Sequence, residues 1–145
     1  MKRKVLFLCT GNSCRSQMAE AIVNARLGGM WEAVSAGIRP AGYVHPKALA
    51  ALAEIGIQHT GRSKPADEFR GVDFDLVVTV CDSAAEECPI WLGKGKRLHH
   101  DFPDPAKAEG TDEAVMNAFR AVRDDMEREI IRLLKTSEVS ETSEV

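Results

Sequence analysis

The chain has 145 residues and a formal net charge of −3, with 19 basic and 22 acidic residues interspersed along it. A domain of this length can bury roughly two thirds of its unfolded surface, so it needs no disulfide to hold its core together. The mixed charges exclude a nucleic-acid footprint or a membrane-surface patch. No stretch reaches the roughly 20 apolar residues that cross a bilayer. A small, soluble substrate or partner is therefore expected.

The sequence begins with MKRKVLFLC, which has a basic start and a short apolar run. The run is too short for a signal peptide and leads directly into a loop, so we interpret it as the first strand of a cytoplasmic protein. Thiols in the cytosol are normally kept reduced. The four cysteines therefore indicate chemistry or metal binding and not a structural scaffold.

Predicted strands and helices alternate along the chain. A continuous apolar run at 5–8 is typical of a strand buried on both faces of a parallel sheet. The next segment, 17–27, is predicted to be a helix that is capped by Ser16 and ended by two glycines. Further strands are expected at 33–36, 75–80 and 96–99, and helices at 46–55 and 112–134. This alternation predicts one α/β domain over 1–135, with a four-stranded parallel sheet flanked by helices in a doubly wound, Rossmann- or flavodoxin-like arrangement.

The polar segment 136–145 repeats Ser-Glu-Val and has few bulky apolar residues. Such a composition cannot bury enough surface to offset the entropy of ordering. The segment is expected to be a disordered tail.

The loop between the first strand and the first helix lies where open α/β sheets bind their ligands. Backbone N–H groups of a tight loop and the positive end of a helix together form an anion cradle, to which Arg15 adds a planar fork. The same positive field favours the thiolate of Cys9, the nucleophilic form, and Ser16 can donate a hydrogen bond to it. The predicted oxyanion site is formed by Thr10, Gly11, Asn12, Ser13, Cys14 and Arg15. Cys14 is expected to be mostly structural.

The segment VLFLCTGNSCRSQMAEA resembles the signature of the low-molecular-weight tyrosine phosphatases and of the arsenate reductases built on the same fold. The portion CTGNSCRSQMAE is most similar to the reductases. The resemblance covers the chain from the first strand through the final helix. It implies the low-molecular-weight phosphatase fold, with Cys9 as the nucleophile and Arg15 as the residue that binds the oxyanion.

Two further cysteines bear on the choice between hydrolysis and reduction. Cys81 follows the strand predicted at 75–80, at the sheet edge expected to carry the Cys9 loop, and Cys88 comes seven residues later. A hydrolytic phosphatase uses one cysteine and water. Reducing arsenate to arsenite takes two electrons, which two thiols supply by forming a disulfide.

The resemblance to thioredoxin-coupled arsenate reductases implies the order of the thiol steps. Cys9 attacks arsenic, Cys81 attacks Cys9 and expels arsenite, and Cys88 attacks Cys81 to leave a Cys81–Cys88 disulfide. Thioredoxin then reduces that disulfide, so no small-molecule cofactor is expected. Phosphate and sulfate are expected to compete with arsenate for the loop.

Three alternatives remain open from the residues alone: a phosphoester hydrolase with the same nucleophile, a non-catalytic thiol module that binds an oxyanion, and a structural zinc site. The six residues between Cys81 and Cys88 exceed the usual spacing of paired zinc ligands, and Arg15 beside Cys14 would oppose a cation. No metal site is therefore predicted.

The segment Asp101-Phe102-Pro103-Asp104-Pro105 is a stiff loop, because prolines prevent regular hydrogen bonding. The resemblance implies that an Asp-Pro pair here carries the general acid, which favours Asp104, with Asp101 as the alternative. Family phosphatases usually follow this pair with an aromatic residue that packs on phosphotyrosine. The residue here is Ala106, which weakens a phosphotyrosine assignment.

Some related reductases bind potassium through residues that resemble Asn12, Glu20 and Ser35 together with an aspartate. The segment expected to hold that aspartate reads Gly61-Arg62-Ser63-Lys64. Because this segment has a lysine and no aspartate, potassium binding is not expected. Lys64 is expected to offset the charge of Glu20 instead.

Overall fold

The computed structural model describes residues 2–82, 91 and 93–143, with side chains to residue 136. Its sheet consists of β1 (Arg3–Cys9), β2 (Trp31–Gly37), β3 (Leu76–Thr79) and β4 (Lys96–His99), all parallel, in the order β2-β1-β3-β4. The helices are α1 (Arg15–Arg26), α2 (Pro46–Glu54) and α3 (Asp112–Ser143), with short 3₁₀ helices at Ala66–Phe69 and Pro105–Lys107. The predicted α/β fold with a four-stranded parallel sheet is confirmed.

Strand β1 lies at the centre of the sheet because its apolar run can be buried from both sides. Side chains at alternate positions, Val5 and Phe7, pack with residues of all three α-helices. Those between them, Leu6 and Leu8, pack on the other face with Phe74, Val77 and Trp91 and with the 3₁₀ helix at Ala66–Phe69. This two-sided burial fixes the carboxyl end of β1, where the Cys9 loop begins.

The prediction that Ser16 caps α1 is wrong. The helix begins at Arg15, its N-cap is Cys14, and no side chain caps it. Ser16 is fully buried inside the first turn, where its hydroxyl contacts Cys9 and Asn12. The contact with Cys9 agrees with the other role that the sequence predicted for Ser16.

Helix α3 is longer than the sequence predicted. It continues from Asp112 through Ser143, whereas the predicted helix stops at 134 and a disordered tail was expected from 136. Residues 135–143 contain neither glycine nor proline, so no residue there interrupts the helical backbone. The domain boundary at residue 135 stays a prediction.

Across the described part of the chain, none of the helices combines the length and the apolar character needed to cross a membrane.

Candidate active site

The loop from β1 to α1 turns its carbonyl groups outward. The carbonyl oxygens of Thr10, Gly11 and Ser13 each accept a backbone N–H at 2.9 Å from the segment after β2, with donors at Arg39, Ala41 and His45. The N–H of a planar trans peptide points opposite to its carbonyl, so the N–H groups that follow these carbonyls face the inner side of the loop. Together with the N-terminus of α1 they form a cradle for an anion.

Two backbone features hold the loop in this shape. Asn12 has a φ of 49°, in the left-handed region that few residues other than glycine adopt. A Cβ added at Gly37 would lie 2.6 Å from the carbonyl oxygen of Thr10, so only glycine allows the loop to approach the end of β2 this closely. The sequence identified the first of these positions, and the close approach at Gly37 became visible only in the structure.

Cys9 lies in contact with a buried hydroxyl. Its Sγ is 2.9 Å from the Oγ of Ser16, and that Oγ accepts a hydrogen bond of 2.7 Å from the Nδ2 of Asn12. Because Asn12 donates to the Ser16 oxygen, the hydroxyl keeps its own proton available for Cys9. When Cys9 acts as a nucleophile its sulfur can only accept, so Ser16 is then the donor of this contact.

Arg15 joins the Cys9 loop to the stiff Asp-Pro loop. Its guanidinium is buried, donates to the carbonyl oxygen of Phe102 at 3.3 Å and lies 3.6 Å from the Asp104 carboxylate. Asp104 also accepts the N–H of Ala106 at 3.0 Å, which fixes the direction of its carboxylate. Asp101, the alternative acid, is more than half exposed and pairs with His99. Asp104 is thus the one of the two that lies at the Cys9 loop.

A cleft of about 440 Å³ opens over the loop. Three cationic side chains and one carboxylate contribute to its walls, so it favours a multiply charged anion. Its lining consists of Thr10, Gly11, Arg15, Ile38, Arg39, Asp104 and Lys107. Sequence reasoning missed Ile38, Arg39 and Lys107. The first two directly follow β2, at the carboxyl end of a strand, and that position is a signal that was available in the sequence.

Cys81 lies near Cys9 at the same edge of the sheet. Leu8 pairs with Thr79 in the register of β1 and β3, and the backbone N–H of Val80 donates to the Leu8 carbonyl at 2.9 Å. The two cysteines therefore leave adjacent parallel strands within one residue of the same level. Cys81 is completely buried and is bonded in a disulfide. Cys88, its partner in the predicted scheme, lies outside the described residues.

Cys14 differs from Cys9 in its surroundings. Burial, followed by the negative charges of Asp104 and Cys9, raises the pKa of the Cys14 thiol to about 12. The thiol therefore stays protonated at neutral pH, and its Sγ donates to the Asp104 carboxylate at 3.5 Å. This contact suits the predicted structural role. Among the described residues, no group of three or more histidine, cysteine, aspartate or glutamate side chains is arranged to hold a metal ion.

The chain belongs to the low molecular weight phosphotyrosine protein phosphatase family, whose model matches residues 4–144. It is 46% identical over 136 residues to the arsenate reductase of Halalkalibacterium halodurans, covering 93% of this chain and 97% of that protein. The crystal structure of arsenate reductase from Archaeoglobus fulgidus is similar with a TM-score of 0.77 and 31% identity, covering 90% of this chain and 98% of that one. The thioredoxin-dependent arsenate reductase of Corynebacterium glutamicum gives a TM-score of 0.66 and 28% identity, covering 94% and 63% of the two chains.

The raised pKa of Cys14 predicts selective alkylation within the loop. When the reduced, folded protein is treated with iodoacetamide at neutral pH, Cys14 should be labelled far less than Cys9, because the Cys14 thiol stays protonated and only a thiolate reacts readily. Labelling of Cys14 should rise only as the pH approaches about 12. Fragmentation mass spectrometry of the peptide that contains both residues measures the two separately. Equal labelling of Cys14 and Cys9 at pH 7 would contradict the assignment.

Proposed function

We propose that this protein reduces arsenate to arsenite. Its family loop alone does not choose between hydrolysis and reduction, because the nucleophile, the arginine and the anion cradle serve both. The observation that carries the proposal is the second cysteine, Cys81, which follows the adjacent strand β3 at the same edge of the sheet as Cys9. Hydrolysis has no use for it, whereas reduction needs a second sulfur. The 46% identity to an arsenate reductase, over 97% of that protein, supports the same choice.

Arsenate is bound by charge and shape. The inward N–H groups of the loop and the Arg15 fork are suited to the oxygens of a tetrahedral anion, and Arg39 and Lys107 add positive charge at the mouth of the cleft. Phosphate and sulfate have the same geometry, so they compete for this site.

The first chemical step joins sulfur to arsenic. The Cys9 thiolate attacks arsenic, a bond forms between the Sγ atom and arsenic, and one arsenate oxygen leaves as water. Asp104 is the general acid that protonates this oxygen, because its carboxylate lies at the loop beside Arg15. Arg15 balances the negative charge on the remaining oxygens.

The second stage transfers two electrons. Cys81 attacks the sulfur of Cys9, and the electron pair of the sulfur–arsenic bond passes to arsenic, which leaves as arsenite. Cys88 then attacks Cys81, releasing the Cys9 thiolate and leaving a Cys81–Cys88 disulfide. The two thiols that are oxidised account for the two electrons that arsenic gains.

A dithiol protein must reduce this disulfide before the next cycle, and we assign that role to thioredoxin. The similarity to a thioredoxin-dependent arsenate reductase supports the assignment. The scheme requires a compartment that keeps thiols reduced, so we place the protein in the cytosol.

Cysteine variants separate reduction from hydrolysis. Cys88→Ser should allow almost no thioredoxin-coupled arsenate turnover, because the final disulfide cannot form, while cleavage of an aryl phosphate stays nearly intact. Cys9→Ser should abolish both activities, since both use the same nucleophile. Arsenite formation and phosphate release from the ester are the measurements. A Cys88→Ser variant that turns over arsenate with thioredoxin at the normal rate would exclude the three-thiol scheme.

The acid is tested by a matched pair of aspartate variants. Asp104→Asn should lower kcat roughly 100-fold or more, the usual loss when a general acid is removed, with a smaller change in KM. Asp101→Asn is the control and should change kcat little, because that side chain faces His99 and solvent. The reverse ranking of the two variants would assign the acid to Asp101.

A further inference from the structure

A second polar cluster lies below the Cys9 loop, outside the cleft. Lys64 is only 7% exposed. Its Nζ lies 3.7 Å from the Oε1 of Glu20 and 3.5 Å from the Oγ of Ser35, and it donates to the carbonyl oxygen of Arg62 at 3.1 Å. Glu20 in turn accepts a hydrogen bond of 2.8 Å from Ser35. A carboxylate in such a position is costly unless a positive charge lies beside it, and Lys64 supplies that charge.

This cluster connects to the nucleophile through a directed chain of hydrogen bonds. The backbone N–H of Lys64 donates to the Oδ1 of Asn12 at 3.0 Å. The Nδ2 of Asn12 donates to Ser16 at 2.7 Å, and Ser16 contacts Cys9 at 2.9 Å. Every donor in this series points toward Cys9. Lys64 thus lies three hydrogen bonds from the reacting sulfur.

Gln17 adds further hydrogen bonds to this series, at Asn12 and at the Arg62 backbone. Its Nε2 donates to the Oδ1 of Asn12 at 3.0 Å and to the carbonyl oxygen of Arg62 at 2.8 Å. Its Oε1 lies 2.8 Å from the Nε2 of His59, and that ring nitrogen is 4.0 Å from Glu20. The orientation of the Asn12 amide therefore depends on the backbone at residues 62–64, which the Lys64 ammonium secures by binding Arg62, Ser35 and Glu20.

The residues present do not fit the potassium ion that some related reductases bind. Two of the oxygens that would hold it, those of Glu20 and Ser35, already face the Lys64 ammonium. The third, the Oδ1 of Asn12, already accepts two N–H groups. A potassium ion at this position would lie close to a like charge and share its carboxylate, which is unfavourable at low effective dielectric.

We infer that the Lys64 ammonium is a built-in substitute for a monovalent cation and acts as a positioning residue for Cys9. It balances Glu20 and holds the Asn12–Ser16 donors under the sulfur, so that the nucleophile works without potassium. The inference deepens the proposed function, because it names what orients the same nucleophile, and it can be tested without arsenate.

The direct test is Lys64→Met, which keeps a long side chain and removes the charge. The rate of Cys9 alkylation by iodoacetamide at neutral pH should fall roughly tenfold, the size of effect expected when a coupled network loses one member. Arsenate kcat/KM should fall in parallel. Lys47→Met is the matched control: this lysine lies 3.9 Å from Asp112 at the surface, and its loss should leave Cys9 alkylation unchanged.

A charge-balanced variant distinguishes positioning from simple loss of structure. Glu20→Gln combined with Lys64→Met removes both charges and should restore part of the Cys9 alkylation rate, because no unpaired carboxylate remains although the ammonium contact with the Arg62 carbonyl is still missing. Circular dichroism and the Tm of each variant show that the proteins compared are folded. A folded double variant that reacts as slowly as Lys64→Met would overturn the charge-balance argument.

Salt substitution tests the cation directly. At constant ionic strength, wild-type Cys9 alkylation and arsenate turnover should be equal in potassium chloride and choline chloride. Lys64→Asp adds an oxygen ligand and removes the ammonium, so potassium should accelerate this variant over choline. Potassium stimulation of the wild type, or normal Cys9 alkylation in Lys64→Met, would overturn the inference. Since alkylation needs no arsenate, these results stand whether or not the reductase proposal holds.

Discussion

The site depends on one interaction, the contact between the Ser16 hydroxyl and the Cys9 sulfur below the anion loop. It is possible because Asn12 takes a left-handed conformation and turns its amide inward to donate to Ser16. The loop can lie this close to β2 because Gly37 has no side chain, and a Cβ there would be 2.6 Å from the Thr10 carbonyl oxygen. The buried strand β1, the loop after it and the first turn of α1 therefore act together to place the Ser16 hydroxyl against the Cys9 sulfur.

Much of this arrangement could be predicted from the sequence. The apolar run of β1 is unbroken because the strand is buried on both faces, and this pattern located the Cys9 loop at the carboxyl edge of the sheet. Arg15 was named from the chemistry of the loop and Asp104 from the family resemblance, and the structure brings them within 3.6 Å. A single sequence is most informative about sites whose residues are close together along the chain.

The features that sequence reasoning missed depend on contacts between distant segments. The contact of Ser16 with Cys9 was predicted from the sequence, but the second contact of the same hydroxyl, with Asn12, became visible only in the fold. Gln17 donates a hydrogen bond to the carbonyl oxygen of Arg62, which is 45 residues away, so no local sequence pattern could predict it. The pairing of Lys64 with Glu20 was predicted from the sequence, but the link from the Lys64 backbone to Asn12, and so to the nucleophile, became visible only in the structure.

The central claim is that the Cys9 loop serves reduction and not hydrolysis. The most direct measurement is a steady-state assay with arsenate, thioredoxin, thioredoxin reductase and NADPH, in which NADPH oxidation and arsenite are followed together. The account predicts one arsenite for each NADPH oxidised, with no NADPH oxidation when either arsenate or thioredoxin is left out. Rapid release of phosphate from an aryl phosphate, with no arsenate-dependent NADPH oxidation, would contradict it and identify a hydrolase.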